Sequence, residues 1–480
     1  SIQNERKYTH CEIDPTAMLG ISASVNPFPE FQPAPRNTFQ SSMVRQALGP
    51  NSSRIELRYD TTMRTILEPG VPSVATDAHE ILGLDQYPQG YPLVIAVTTY
   101  YGGNQEDALI MNEGSIDRGL FTMMIYHSYT VTVCQSGNHR EEIRLPDYRP
   151  GQASRYAKLD PTTHIVPVGT IVTEKDCLVG KVIIDNTGAV RDDSLYVSSG
   201  KEGVVDDVYV TENAEACRLV RIRIREMRKL QPGDKLASRY SQKGTIGEIL
   251  PEVDMPVIVS EHPELNGIRP DVLFNPHGIP SRMTMGKLFE IMLGMWTAIT
   301  GQRYNATAFR RFNYQDFVAE LRRRGFPRSE AKMINGITGR VMDVEIFVGV
   351  TYYQLLRHLV ADKMEARGTG TVQFLTRQPI RGIRRGGALR FGEMERDALI
   401  EAGASYLLQE RMSVSSDAQN AVVCRGCGQL AVSDVDTGQF RCNHCPTGTF
   451  TRVTVPHAFL LMSQYLSALN VKLSLRTKDV

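Results

Sequence analysis

At 480 residues, with 41% hydrophobic and 22% charged residues and a formal net charge of +1, the chain has the composition of an ordinary globular protein and a length that predicts about three domains. No apolar run approaches the ~18 residues of a membrane span and no charged-then-apolar leader opens the chain, which reads against a membrane protein and a secretory precursor. It therefore reads as an intracellular protein or a mature fragment, and its direct entry at Ser1 into ordered-looking sequence is the pattern of a piece of a longer polypeptide.

In chain order, residues 26–38 are punctuated by prolines and predict an extended loop that delivers Arg36 and Asn37, with a helical stretch following to Leu48. Leu93 to Thr99 is an apolar, β-branched run typical of a buried strand, and it leads through the glycine-bearing turn Gly102-Gly103 to the adjacent acids Glu106 and Asp107. From about 123 to 228 short strand-like runs alternate with polar turns, most clearly Val220 to Arg225, where apolar and cationic residues strictly alternate. Between Arg221 and Lys243 there are eight Lys or Arg against two acids, ending in Lys235 and Lys243 inside a glycine-bounded segment. Flexible ammonium groups and glycine backbone suit polyphosphate, whereas a solvated basic loop is the plain alternative. Pro280 and Ser281 predict the start of a helix carrying Leu288, Ile291, Met292, Met295 and Ile299, with Arg282 in its first turn. A second basic concentration has nine Lys or Arg against four acids between Arg357 and Arg396; its glycines place Arg377, Arg381, Arg384, Arg385 and Arg390 on loops.

Cysteine usage separates into two groups. Cys11, Cys134, Cys177 and Cys217 are scattered and read as small core residues in a reducing compartment. Cys424 and Cys427 form one C-x2-C pair, Cys442 and Cys445 a second, with fourteen residues between the pairs. Two such knuckles offer four thiolates in a tetrahedron, so the spacing predicts a structural Zn2+ ribbon; a redox pair would not require a second at this distance. His444 lies between ligands and could replace one. Asp434 and Asp436, in the loop between the pairs, read as turn residues. The fold class is α+β and multidomain, mainly β modules with helical segments and a C-terminal four-cysteine zinc ribbon. An exposed carboxylate pair such as Glu106-Asp107 beside phosphate-binding cations suits a bridging divalent metal, while a turn or cap is its structural alternative. No further acidic cluster accompanies it, so the chain carries half an active site.

The motifs resemble, in order along nearly the whole chain, the C-terminal part of the second-largest subunit of multi-subunit DNA-dependent RNA polymerases of the eukaryotic, archaeal and large-DNA-virus type. They are Thr9-His10-Cys11-Glu12, Pro35-Arg36-Asn37-Thr38, Asn104-Gln105-Glu106-Asp107, Ser115 to Phe121, Gly233-Asp234-Lys235 with Gln242-Lys243-Gly244, Asn275-Pro276-His277 with Pro280 to Thr284, Tyr352-Tyr353, Leu375 to Pro379, Leu389 to Asp397 and the four cysteines. The resemblance implies a double-psi β-barrel core. It also implies a hybrid-binding domain in two parts (1–122 and 229–350, the second with the catalytic lysines), a wall (123–228), an anchor (351–412) and a zinc-bearing clamp segment (413–480).

The resemblance further implies a division of roles. Lys235 and Lys243 would lie by the RNA 3′ end and phosphates, Arg36 and Arg282 by the triphosphate, and Glu106 and Asp107 by nucleotide-borne Mg2+. Gln46, Arg377, Arg384, Arg385 and Arg390 would bind substrate or hybrid without sequence choice. The implied partners are the largest subunit, which holds the first Mg2+, smaller assembly subunits, the N-terminal half of the second-largest subunit, DNA template, RNA transcript and nucleoside triphosphates, with no membrane. The implied location is intracellular, in nucleus, cytoplasm or virion. Tyr240-Ser241 stands where the family commonly has His-Gly, and Glu261 to Asn266 resembles an insertion. A stand-alone phosphoryl or nucleotidyl transferase would need the carboxylate cluster that is lacking, and a non-catalytic zinc-ribbon scaffold would leave the lysines and Glu106-Asp107 idle.

Overall fold

A computed structural model describes residues 9–50, 54–136, 139–147, 150–185, 187–215, 217–263, 265–325, 329–433, 438–446 and 448–478. Two compact units divide the chain, Ser1–Val360 and Ala361–Val480. Both helices and sheets are present, as the α+β reading requires, and among the described residues no helix is long and apolar enough to cross a membrane.

The centre of the first unit is a barrel of six strands: β1 (Tyr91–Val97), β2 (Ala108–Asn112), β3 (Lys235–Ser238), β4 (Lys243–Leu250), β5 (Val272–Phe274) and β6 (Ile346–Leu355). The ladder runs β3-β4-β2-β5-β1-β6, and β6 pairs back onto β3, closing the ring. The β4–β2 and β5–β1 pairs are parallel and the others antiparallel. This barrel stands where the resemblance implies a double-psi barrel. Side chains alternate between two cores, Leu93, Ile95, Leu109, Met111 and Val272 entering one, Ala96, Ile110, Leu273 and Val348 the other. Burial on both faces is why the run from Leu93 to Val97 is apolar without a break.

Helix α2 (Met285–Thr300) lies on β6. A Cβ at Gly294 would lie 1.9 Å from the carbonyl oxygen of Val350, and one at Gly349 2.1 Å from that of Ile291, so helix and strand touch backbone to backbone. The helix is buried on nearly every side, with Phe28, Phe289, Phe312 and Phe317 packed in edge and stacked contacts beside it.

Two helix starts differ from the sequence reading. Residues 26–38 are not extended throughout: helix α1 spans Ala34–Met43 with Pro33 at its N-cap and Pro35 in its first turn, where a missing N–H costs nothing. Arg36 is therefore helical. Arg282 precedes α2 instead of lying in its first turn, because Met283 adopts a left-handed φ of 52° and helix begins only at Met285.

A second core serves a five-stranded sheet ordered Thr62–Ile66, Met123–Val133, Arg218–Arg228, Gly203–Glu212, Ile171–Val172. Val220, Ile222 and Ile224 enter that core, confirming the alternation, but the opposite, cationic face is covered at its middle: Arg223 donates to Asp206 at 2.7 Å and stacks on Tyr59 and Tyr126. Cys134 and Cys217, expected as separate core thiols, form a disulfide one step beyond the Val133↔Arg218 pair, which brings them opposite each other.

In the second unit, β7 (Ala418–Cys424) pairs with β8 (Phe450–Pro456), and helix α3 (His457–Ala468) follows directly. Asp417 holds that junction, its carboxylate accepting from the Ala458 amide at 2.9 Å.

Because the Val350 carbonyl cannot move aside without breaking the barrel, Gly294→Ala is expected to cost upward of about 3 kcal/mol. Gly20→Ala, with nothing within 4 Å of the added carbon, should change stability by less than about 0.5 kcal/mol. Thermal unfolding of the two variants beside the parent checks the difference.

Candidate functional site

Strand register brings Lys235, Lys243 and the Glu106-Asp107 turn to one end of the barrel. Lys235 pairs with Thr245 and Lys243 with Ala237, so the two lysines stand two rungs apart on one face of the β3–β4 hairpin. Asp234 fixes the start of that hairpin, accepting from the amides of Gln231 at 3.0 Å and Val360 at 2.9 Å. Across the parallel β4–β2 ladder the first rung is Thr245↔Ala108, which places Lys243, at the start of β4, beside the Glu106-Asp107 turn that leads into β2. Lys243 is exposed and Lys235 half-buried.

The acidic turn is built tightly. Glu106 and Asp107 take left-handed φ values of 51° and 69°, and the buried Asn104 braces the turn by donating to the Thr98 carbonyl at 2.7 Å and accepting from the Tyr100 amide. A Cβ at Gly244 would stand 2.6 Å from the Asp107 carbonyl oxygen, so only glycine after Lys243 lets the acid turn and the lysine strand approach this closely. One Arg282 nitrogen lies 2.5 Å from each carboxylate oxygen of Asp107.

Arg36 leaves the first turn of α1 with its guanidinium 5.9 Å from the Phe39 ring centre. Gln46 lies just beyond α1, its amide oxygen 2.9 Å from His358 Nε2 and its carbonyl accepting from the Arg357 amide. The segment from Glu261 to Asn266, whose Glu264 lies outside the described residues, folds so that His262 Nε2 is 2.6 Å from the Gly325 carbonyl.

The basic stretch from 221 to 243 is less free than its composition suggests. Arg223 and Arg225 face Asp206, Arg228 faces Glu226, Lys229 faces Asp117, and Arg239 is buried against Glu290 at 2.7 Å. Burial opposes charge on Arg239, but Glu290 together with the neighbouring tyrosines more than offsets it and the guanidinium pKa is raised. Among the described residues, Lys235, Lys243 and Arg221 are left without a carboxylate partner. Glu290 escaped the sequence reading; the signal was an acid on a largely apolar helix whose other charged residue is Lys287.

In the second unit Arg377, Arg385 and Arg390 are exposed, Arg377 with φ of 53° in a hairpin closed by Val372 and Pro379, Arg385 at the end of the 3-10 turn Ile383–Arg385 and Arg390 on an irregular segment. The side chain of Arg384 lies outside what the structure describes, as do Asp434 and Asp436. The Sγ atoms of Cys424, Cys427, Cys442 and Cys445 all lie within 4.8 Å of one another. Tetrahedral thiolates around zinc stand ~3.8 Å apart, so the cluster fits a metal site of four cysteines. The amide of His444 donates to Cys442 Sγ, the main reason that thiol falls to about 7, while hydrogen bonding with Cys427 is the first cause that takes Cys445 up to about 12. A backbone N–H aimed at sulfur is the kind of contact that steadies and orients a metal-bound thiolate. His444 thus acts through its backbone, and the four cysteines suffice.

Residues 22–385 match the family of RNA polymerase Rpb2, domain 6, and residues 386–478 that of RNA polymerase Rpb2, domain 7. The chain belongs to the RNA polymerase Rpb2 family. This Rpb2-family chain is 40% identical over 488 residues to the DNA-directed RNA polymerase II subunit 2 of Arabidopsis thaliana, covering 98% of the chain and 40% of that relative. It is 40% identical over 491 residues to subunit RPB2 of Encephalitozoon cuniculi, covering 98% and 42%. With subunit Rpo2 of the archaeon Saccharolobus solfataricus the identity is 38% over 487 residues, covering 98% and 43%. The Rpb2-family chain thus spans about two fifths of the length of these relatives.

Removal of metal by a strong chelator, or Cys442→Ser, is expected to release the β7–β8 hairpin and its knuckles to protease while the first unit keeps its protection. Limited proteolysis with the fragments identified by mass, together with a metal content of one zinc per chain before chelation, checks this.

Proposed function

We propose that this chain forms half of the active centre of a DNA-dependent RNA polymerase and binds the RNA–DNA hybrid during template-directed nucleotide addition. The observation that carries the reading is the juxtaposition of Lys243, Asp107 and Arg282, held by register, by Gly244 and by the ion pair, in a chain of the Rpb2 family. Cations beside one carboxylate turn suit a magnesium-bearing triphosphate better than either charge alone.

In this reading the RNA 3′-hydroxyl attacks the α-phosphate in line and pyrophosphate leaves. Negative charge grows on the phosphate oxygens as it does so. Lys235 and Lys243 meet that charge from the hairpin, and Arg282 and Arg36 hold the triphosphate from a loop and a helix N-terminus. Magnesium arrives with the nucleotide as part of the substrate, and Glu106 and Asp107 are the carboxylates that would face it. A triad in the largest subunit completes the site. Arg377, Arg384, Arg385 and Arg390 grip hybrid phosphates, an affinity that falls steeply with salt. The module names follow the same reading: hybrid-binding domain for 1–122 and 229–350, wall for 123–228, anchor for 351–412 and clamp for 413–480.

Lys243→Ala in the enzyme purified through this chain is expected to slow magnesium-dependent primer extension by about 10²- to 10³-fold, with every co-purifying polypeptide retained. Full extension rate in that variant would refute the catalytic role. A parent chain that purifies alone and only binds hybrid would make it a zinc-ribbon scaffold.

A further inference from the structure

The turn joining the two lysine strands is buried, although hairpin turns of this kind ordinarily face solvent. Arg239, Tyr240, Ser241 and Gln242 are between 0% and 4% exposed. Polar groups withdrawn this far from water gain from bonds inside the protein. Ser241 Oγ and Gln242 Oε1 have no partner among the described residues, and the bonds that the Ser241 amide and Gln242 Nε2 do make lead to the elements that carry the other cations. Gln242, the residue before Lys243, donates from Nε2 to the hydroxyl of Thr284 at 2.5 Å and to the carbonyl of Gly278 at 3.3 Å. Those two residues bracket Arg282, which itself donates to the Gly278 carbonyl. The amide of Ser241, presented by a left-handed φ of 56°, donates to Oε1 of Gln40 at 3.1 Å. Gln40 stands one helical turn beyond Arg36 on the same face of α1, and its Nε2 donates to Gln354 on β6 at 3.1 Å.

Resting on the reading above, we propose that Gln242 and Gln40 are positioning residues that set the spacing of Lys243, Arg282 and Arg36, so that cations from a strand, a loop and a helix meet one triphosphate. Neither touches substrate. Each bridges the lysine turn to an element holding an arginine. Cation placement that depends on buried amides rather than on exposed side-chain contacts is insensitive to salt and is lost when one amide is replaced by hydrocarbon.

The test uses the assembled polymerase purified through this chain and single-nucleotide addition on a preformed hybrid. Gln242→Leu and Gln40→Leu keep side-chain volume and remove the bonds. A misplacement of about an ångström costs on the order of 10²-fold in catalysis, so a drop of at least about tenfold in kcat/KM for the nucleotide is expected, carried mainly by KM, with pyrophosphorolysis reduced in parallel. Hybrid retention at raised salt and subunit composition should stay at parent values. Gln40→Glu, whose carboxylate still accepts from the Ser241 amide and from a turned Gln354 amide, should recover most of the loss. Should Gln242→Leu fail to assemble, Thr284→Val removes the partner hydroxyl alone and carries the same expectation.

Parent-like nucleotide kinetics in the assembled variants, or a loss spread equally over hybrid retention and nucleotide addition, overturns the positioning role. Lys243→Ala, measured beside them, separates the two readings. An inactive lysine variant with unaffected glutamine variants removes only this inference, whereas an active lysine variant removes the site on which it rests.

Discussion

Strand β3 is four residues long, yet Leu236 pairs with Gly244 on one side and with Leu355 on the other. Closure of the barrel therefore passes through a single short strand, and the positions of Lys235, Lys243 and the Glu106-Asp107 turn are referred to it. A closed ring has no free edge along which register can slip. Lys235 and Lys243 are fixed relative to each other by the β3–β4 rungs and relative to Asp107 by the parallel β4–β2 rungs. Leu236 is fully buried, so the strand is held by apolar packing as well as by its ladders.

Close backbone contacts take over where ladders stop. Gly244 admits the carbonyl of Asp107, Gly247 that of Gly103, Gly294 that of Val350 and Gly349 that of Ile291. Each contact joins segments distant in the chain, and each excludes any side chain at the glycine. Helix α2 is consequently seated at a set height on β6, which in turn fixes where Thr284 and the Arg282 loop leave it. Charge is then distributed by partner supply. Asp206, Glu226, Asp117 and Glu290 occupy five cations of the basic stretch, and the lysines of the hairpin remain available.

What could be read from residue order alone follows a physical division. The two cysteine pairs, the buried run from Leu93 and the apolar spacing of α2 are local patterns, and all three stand in the structure. Proline punctuation was a weaker guide, since Pro33 and Pro35 open α1 and do not forbid it. The left-handed Met283 that delays α2, and so leaves Arg282 on a loop, has no signature in a residue type that ordinarily favours helix. The partners of Arg223, Arg239 and Gln242, and the pairing of Cys134 with Cys217, come from residues 17 to 168 positions away in the chain. Such contacts are decided by topology, which local pattern does not encode. The ordered motifs conveyed the site's membership, and its geometry came from strand register.

The Cys134–Cys217 disulfide sits at one end of a ladder that runs without a break from Val133↔Arg218 to Met123↔Arg228. Eleven rungs at ~3.4 Å each put roughly 35 Å of antiparallel sheet between that sulfur pair and Arg228, from which the chain passes within seven residues to Lys235. A sheet of this length is stiff along its strands and loses little when one terminal crosslink opens. Opening of that crosslink therefore acts at the far tip of the sheet, the whole length of the ladder away from Arg228 and the hairpin that carries Lys235 and Lys243.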